Sequence, residues 1–549
     1  MNRWFGDRHV RKQAAVQPRR GSDMQRRLLG FLLVGAALVA GTELPAQVSF
    51  DRLRRAAAEP HNWLTYSGSY FSQRYSTLTQ ITPQNVSRLH LEWVYQAQSP
   101  EPSDTKFEAT PLVVDGVMYT VRPPNDVVAL DAATGQVQWT KPYPVATTAR
   151  ACCGRVNRGL GILGDTLFMG TLDGHLLAIN AKDGRTMWNV AVGRPEAGYS
   201  LTHAPLVIKD TVLAGPAGGE YGIRGFLAAF DANTGNERWR FYTVPGPGEP
   251  GFDSWSGDSW RTGGGPIWMT GSYDPATNLT YWGTGNPAPA WNGDSRIGDN
   301  LYTDSVVALD ADTGKLQWHY QFTPHDEQDM DSAQPPVLAD LTWQGQPRKL
   351  LLWENKNGNF YVLDRTNGEL LLRKPYGMST NWYSPSFSPA TGLFYIPTVG
   401  GAVGAAPTNI IKEPATYVEG QRFMGGRIQP PGQRLAQAPR AEPPVVPGAR
   451  QGGPNTAVIA ISPTSGDPAW RVTVKTAGIL TTASNVLFTG DRDGYFRALD
   501  ARTGRELWKV LLASAGLGTF MSPMTYAVNG RQYVSIVVGN GLFTFGLQD

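Results

Sequence analysis

Cysteine is nearly absent: the 549 residues hold two. That count excludes a disulfide-stapled scaffold, a zinc ribbon and an iron–sulfur protein. It also excludes a c-type haem attachment, because the two cysteines are adjacent and C-x-x-C-H needs them apart. Histidine is sparse too, with seven residues scattered at no metal-ligand spacing, which argues against zinc hydrolase chemistry. No G-x-S-x-G stands on a plausible nucleophile elbow. No apolar run reaches the roughly 18 residues of a membrane helix. Aromatics, by contrast, are plentiful: 17 Trp, 21 Tyr and 20 Phe can fill a large core, which excludes a disordered chain. Gly (62) and Pro (41) together make about 19% of the chain, a composition rich in turns but below the low-complexity range.

The apolar run LLGFLLVGAALVAG, residues 28–41, follows Arg26 and Arg27 and precedes Leu44-Pro45-Ala46. These are the three regions of a secretory signal, so the expected division is a signal peptide at 1–46 and a mature domain at 47–549, exported to the periplasm. An uncleaved anchor is the competing reading, and Met24 competes with Met1 as the start. Residues 1–46 carry eight Lys/Arg and three Asp/Glu, so without them the net charge falls from +3 to about −2. The basic character belongs to the leader, and no nucleic-acid partner is expected.

One pattern recurs through the rest: a hydrophobic strand, then A-hydrophobic-D-x-x-x-G-x-x-x-W. Strong copies end at Trp139, Trp188, Trp239, Trp318 and Trp508. Weaker ones have Leu372 at the Trp position or end at Trp470, and NVSRLHLEW, ending at Trp93, reads as an eighth, degenerate copy. Asp and Gly suit a tight turn, since Asp can accept from nearby amides and Gly tolerates positive φ. The Trp at fixed distance can pack between neighbouring sheets. Such units cannot bury both faces alone. The expected fold is therefore all-β, an eight-bladed β-propeller with Trp-docking repeats, with a solenoid as the alternative. The last strands, YVSIVVGN and LFTFGL, are expected to pair with the N-terminal segment and close the ring. Residues 400–455, rich in Gly, Pro and Ala, read as a surface insertion.

Cys152 and Cys153 break the repeat. Neighbouring Cα atoms lie about 3.8 Å apart, closer than the usual disulfide span, and a bond between them closes almost no loop. In an exported protein the pair is expected to be oxidised, and a feature so idle structurally points to function. Two unrelated free thiols are the alternative.

The segment ACCGRVNRGLGILGDTLFMGTLDGHLLAINAKDG resembles the signature of quinoprotein alcohol dehydrogenases, eight-bladed propellers that bind pyrroloquinoline quinone (PQQ). The resemblance covers nearly all of 60–549 and rests on several blocks in the same order. It implies that the Cys152–Cys153 disulfide lies against one face of the quinone and Trp268, in GGGPIWMTGSYDP, against the other. It further implies PQQ contacts from Glu108 (FEATP), Arg158 (CCGRVNRG), Thr202 (SLTHAP), Gly218 and Gly219 (AGPAGGEYG), Lys356 (ENKNGNFY) and Asn381 (STNWYSP). Glu220 and Asn286 (YWGTGNPAP) would be metal ligands, joined by Asp329 and Asp331 of HDEQDMDSAQP. If that stretch is a strand, residues i and i+2 share a face and both aspartates address one cation. All-oxygen ligation suits Ca²⁺, and the added Asp331 resembles the extra ligand of lanthanide-using members.

The implied reaction oxidises an alcohol to an aldehyde: Asp329, the catalytic base, takes the hydroxyl proton while hydride passes to metal-polarised PQQ. With no haem motif in this chain, electrons would leave for an external cytochrome c or a membrane quinone. Three departures bear on the pocket: Pro266 where many members have a Thr, Gln328 where a Trp often precedes the base, and Thr476 where a Trp commonly covers the substrate. A wider or more polar pocket is the expectation, for a small alcohol or polyol. A quinoprotein sugar or polyol dehydrogenase, and a non-catalytic scaffold propeller lacking the cysteine pair and the carboxylates, are the competing classes. The oligomeric state is open, a homodimer included.

Overall fold

The computed structural model describes residues 48–97, 105–399, 410–428, 456–514 and 521–548. The expected signal peptide and most of 400–455 lie outside them. No described helix is long and apolar enough to cross a membrane.

Eight sheets follow one another along the chain, antiparallel except that the two-residue strand Tyr75–Ser76 joins the seventh in parallel. The first comprises Leu112–Val114, Val117–Arg122, Asp126–Asp131 and Val137–Lys141. The second spans 161–191, the third 206–242, the fourth 272–321, the fifth 337–375, the sixth 386–473 and the seventh 476–511. The eighth is completed from both ends of the chain. Leu89–Gln96 pairs antiparallel with Gly541–Leu547, which in turn pairs with Arg531–Val538 and that with Met524–Val528. The fold is the eight-bladed β-propeller, closed as expected from the N-terminal segment.

The repeat works locally as its residues require. Asp131 Oδ1 accepts from the amides of Ala133 and Thr134, and Gly135, at φ 72°, completes the turn. Asp231, Asp310, Asp364 and Asp500 do the same for their own turns. Six of the Trp residues then lie over the turn glycine of the next blade: Trp93 over Gly135, Trp139 over Gly184, Trp188 over Gly235, Trp239 over Gly314, Trp318 over Gly368 and Trp470 over Gly504, whereas Trp508 packs edge-on against Phe545 of the eighth. The indole N–H donates to a carbonyl of that blade in the copies from Trp139, Trp188, Trp239, Trp318 and Trp470 (Ala181, Ala232, Ala311, Arg365 and Ala501). Leu372 packs on Gly466 in the same place without a polar handle. One contact thus combines apolar burial with satisfaction of a carbonyl, and its repetition joins blade to blade.

The described part of the insertion is more ordered than a surface loop. Ile410–Lys412 and Gly426–Ile428 form an antiparallel hairpin, inserted between the second and third strands of the sixth blade.

Candidate active site

The loops between and within blades converge on one cavity of about 270 Å³. It is lined by Lys106, Glu108, Cys152, Cys153, Arg158, Thr202, Gly218, Glu220, Trp268, Asp329, Asp331, Lys356 and Asn381, with Val156, Ala217, Pro266 and Trp382. Two expected residues, Gly219 and Asn286, are not in the lining. They sit directly behind it, facing each other so closely that a Cβ on Gly219 would fall 2.7 Å from Asn286 Oδ1.

Local pairing explains one wall. Thr105–Phe107 runs parallel to Arg155–Asn157, which brings the 152–153 turn beside Lys106. Cys152 and Cys153 are disulfide-bonded, and Lys106 Nζ donates to the Cys153 carbonyl at 3.1 Å. Cys153 Sγ lies 3.9 Å from Glu220 Oε1. Arg158 ion-pairs with Glu108 at 2.9 Å, and its guanidinium sits 5.1 Å from the Trp268 ring and 4.7 Å from the Trp382 ring. Its Nε and Nη1 are buried without a hydrogen-bond partner. Burial holds the Glu108 carboxyl above its ordinary range, against the pull of Arg158 and Lys106.

The opposite wall is acidic. Burial raises Glu220 to about 7, with Asp331 adding repulsion, while the cations Arg422 and Lys356 oppose the rise. Burial likewise holds Asp329 well above the carboxylate range; Lys356 opposes it, and Asp331 and Glu220 reinforce it. Lys356 Nζ lies 3.7 Å from both Asp329 Oδ2 and Asp331 Oδ2 and also donates to the Asp329 carbonyl. Asp329 Oδ1 is buried with no partner. Asp331 Oδ1 accepts from the Trp268 indole at 3.3 Å and from the Asn286 amide at 3.0 Å, so this aspartate ties the ring wall to the residue behind it.

Here one expectation is overturned. Asp329 and Asp331 are not on a strand; both lie in a loop with positive φ, 60° and 30°. The cause is Asp326, whose carboxylate accepts from the amides of Gln328 and Met330 and winds the chain into a turn. The turn, not strand alternation, presents both aspartates to the cavity. Thr476 does not line the cavity: its hydroxyl hydrogen-bonds with that of Thr489 inside the seventh blade. Gln328 is outside the lining as well, whereas Pro266 is in it. Sequence reasoning missed Lys106, which adjoins the FEATP block, and Trp382, which lies within STNWYSP.

The donor set suits the expected groups. Unpaired guanidinium nitrogens on Arg158 await an anionic or carbonyl partner, and a buried carboxylate oxygen on Asp329 awaits a proton or cation. Trp268 and both cysteines of the disulfide line the same cavity.

Known proteins resemble the chain in sequence and in fold. The family described as PQQ, glucose/ethanol/alcohol dehydrogenase, β-propeller domain, matches residues 63–375 and 450–534. Quinohemoprotein alcohol dehydrogenase ADH IIB of Pseudomonas putida is 38% identical over 92% of this chain and 76% of its own. Quinoprotein alcohol dehydrogenase PedH of Pseudomonas putida is 32% identical over 93% and 91%. Among solved structures, a europium-containing methanol dehydrogenase superposes with a TM-score of 0.78 at 29% identity, covering 90% of this chain and 100% of that one. A disulfide-walled, carboxylate-edged cavity in an eight-bladed propeller and a family match over most of the chain lead to one conclusion: the chain belongs to the PQQ-dependent alcohol dehydrogenases and is an oxidoreductase.

Proposed function

We propose that this protein is a periplasmic quinoprotein that oxidises small alcohols to aldehydes and delivers the electrons to a separate cytochrome c or a membrane quinone. The observation that carries the site assignment is the convergence of the disulfide, Trp268, Arg158 and the carboxylates Glu220, Asp329 and Asp331 on one cavity. The signal-like residues 1–46 support export.

PQQ would be held by Glu108, Cys152, Cys153, Arg158, Thr202, Gly218, Gly219, Trp268, Lys356 and Asn381, and a Ca²⁺ or lanthanide ion by Glu220, Asn286, Asp329 and Asp331. When bound, they supply a two-electron acceptor and a Lewis acid. The chain does the rest. Arg158, fixed between two indoles and Glu108, offers two free donors to orient an anionic ring edge. The disulfide and Trp268 exclude water from the ring faces. Asp329 takes the hydroxyl proton of the alcohol, and Lys356 compensates the charge of both aspartates. The europium-containing relative, together with the second aspartate, supports use of a trivalent ion.

The test is reconstitution of the apoprotein with PQQ and either Ca²⁺ or La³⁺, assayed on an alcohol, polyol and aldose panel with an artificial acceptor. Fast turnover of primary alcohols is expected. Turnover confined to aldoses or polyols would transfer the protein to the sugar-oxidising class, and inactivity with every substrate would defeat the proposal. Asp331→Ala is expected to depress the La³⁺-supported rate more than the Ca²⁺-supported one.

A further inference from the structure

The four expected metal ligands come from three separate stretches, Asp331 sharing that of Asp329. Glu220 sits between the second and third strands of the third blade, Asn286 between those of the fourth, and Asp329 in the link from fourth to fifth. A hard cation requires oxygen donors at closely defined distances, and of the three loops those of Asn286 and Asp329 already meet directly, Asp331 Oδ1 accepting from the Asn286 amide.

The hairpin 410–428, from the distant sixth blade, touches all three. The Phe423 amide donates to the carbonyl of Glu220 itself at 2.7 Å. The rings of Phe423 and Tyr417, packed edge to face 5.7 Å apart, lie on Gly222, where any Cβ would come within 2.9 Å of Phe423. Toward the loop after Asn286, the Trp291 amide donates to the Met424 carbonyl at 2.7 Å, and Asn292 Nδ2 donates to the Glu413 carbonyl at 3.1 Å. Gly425, at φ 72°, lets the hairpin close onto Pro289 and Asn292. Toward the base loop, Lys412 pairs with Glu327, two residues before Asp329, and Glu327 Oε1 also accepts from the Gly293 amide at 2.8 Å. Within the hairpin, Arg427 pairs with Glu413 at 2.6 Å and the Glu413 amide bonds the Gly425 carbonyl, so its two arms are held together.

From these contacts we infer that the 410–428 hairpin is a clamp that fixes the spacing of the metal-donor loops and so sets the affinity of the site for its cation, while leaving the quinone wall alone. The inference rests on the metal assignment proposed above. Hydrogen-bonded supports of metal ligands characteristically matter about 10- to 100-fold in metal affinity. The clamp places its bonds on the backbone of one donor and on the sequence neighbours of the others. None of these contacts is made to Cys152, Cys153, Arg158 or Trp268.

The experiment titrates full-length apoprotein with Tb³⁺, read by luminescence sensitised from nearby tryptophan, with Ca²⁺ and La³⁺ as competitors. Lys412→Met combined with Phe423→Ala is expected to raise the metal Kd about tenfold. Lys412→Met alone, at a half-exposed position where folding is not at stake, is expected to raise it about two- to threefold, as suits a surface ion pair. Lys412→Arg is expected to restore the wild-type value. PQQ affinity without metal, from quenching of tryptophan fluorescence, is expected to stay within about twofold throughout. A double variant with unchanged metal Kd, or one that loses quinone and metal affinity in parallel, overturns the clamp. Glu220→Gln separates the two readings: if it binds Tb³⁺ as tightly as wild type, the metal assignment itself fails and the clamp falls with it.

Discussion

Asp329 is presented by a turn that a neighbouring aspartate winds, with one oxygen near Lys356 and the other unpartnered. Replacing its carboxylate by an amide keeps the shape and removes the proton acceptor. Asp329→Asn in the reconstituted enzyme is therefore expected to lower kcat at least about 100-fold while quinone absorbance persists. Stopped-flow reduction of the bound cofactor by substrate checks this, and an undiminished rate would remove Asp329 from the base role. A second residue-scale prediction concerns His203, buried between Thr202 and the 215–220 stretch. Its Nδ1–H donates to the Ala204 carbonyl and its Nε2 accepts from the Gly215 amide, so the neutral ring satisfies both partners and a protonated one cannot. Burial, with Arg158 nearby, holds its pKa down to about 4 from an ordinary 6.5. Below pH 6.5 the unfolded chain binds a proton that the folded chain refuses. Stability is thus expected to fall as pH drops from about 6.5 to about 4, by up to roughly 3 kcal/mol, and then to level off. Urea unfolding of wild type against His203→Gln across that range isolates the term, since the glutamine can make both bonds and does not titrate. Equal pH slopes in the two proteins would refute it.

At the scale of the element, the blade-to-blade contact separates cleanly into two costs. Gly314 has φ 69°, and a Cβ there would lie 2.4 Å from the Trp239 ring; Gly345 has φ 82° and nothing within 4 Å. Gly345→Ala is expected to cost about 1–2 kcal/mol, the left-handed backbone alone. Gly314→Ala pays that and also displaces the indole, about 1–3 kcal/mol more. Chemical denaturation of the two variants measures the difference, and equal losses would mean that the Trp does not dock rigidly. The repeat that makes this contact was legible in the amino-acid sequence because it is local: Asp131, Gly135 and Trp139 fall within nine residues and recur, although each docked Trp meets the glycine of the neighbouring copy. The closing sheet was legible for the opposite reason, an unpaired copy at Trp93 left over at one end and spare strands at the other. Cavity residues recognised by resemblance, such as Glu108 and Lys356, also converge as expected. What escaped depends on partners far along the chain. Trp382 is identified only by Arg158, Lys106 only by the Cys153 carbonyl, and the docking of 410–428 only by Glu220, Trp291 and Glu327. The strand supposed at Asp329 and Asp331 is absent because Asp326 accepts from the amides of Gln328 and Met330 and imposes a turn.

For the whole molecule, the cavity draws its walls from loops spread around the ring. Its lining runs from Lys106, before the first blade, through Cys152, Thr202, Glu220, Trp268, Asp329 and Lys356 to Trp382, before the sixth, so most interblade angles contribute to its width. Those angles are set by closure of the eighth sheet, where Gly541–Leu547 lies between the N-terminal strand and Arg531–Val538. Phe545 of that strand is buried and packs against Phe496 and Trp508 of the seventh blade. Arg74, also buried, donates to the carbonyls of Tyr66, Ser522 and Pro523 and bolts the start of the chain to its end. Phe545→Ala removes the apolar part of this junction without breaking the strand ladder, at an expected cost of about 3–5 kcal/mol. Because the loss is delivered to the ring and not to any lining residue, thermal midpoint and PQQ affinity are expected to fall together. Arg74→Met, which leaves three carbonyls without their donor, is expected to do the same. Calorimetry paired with fluorescence titration of the cofactor makes the comparison. A Phe545→Ala protein that melts early yet binds PQQ with wild-type affinity at a temperature where it is folded would show that the cavity holds its shape without the closure, and that each wall is built by its own pair of blades.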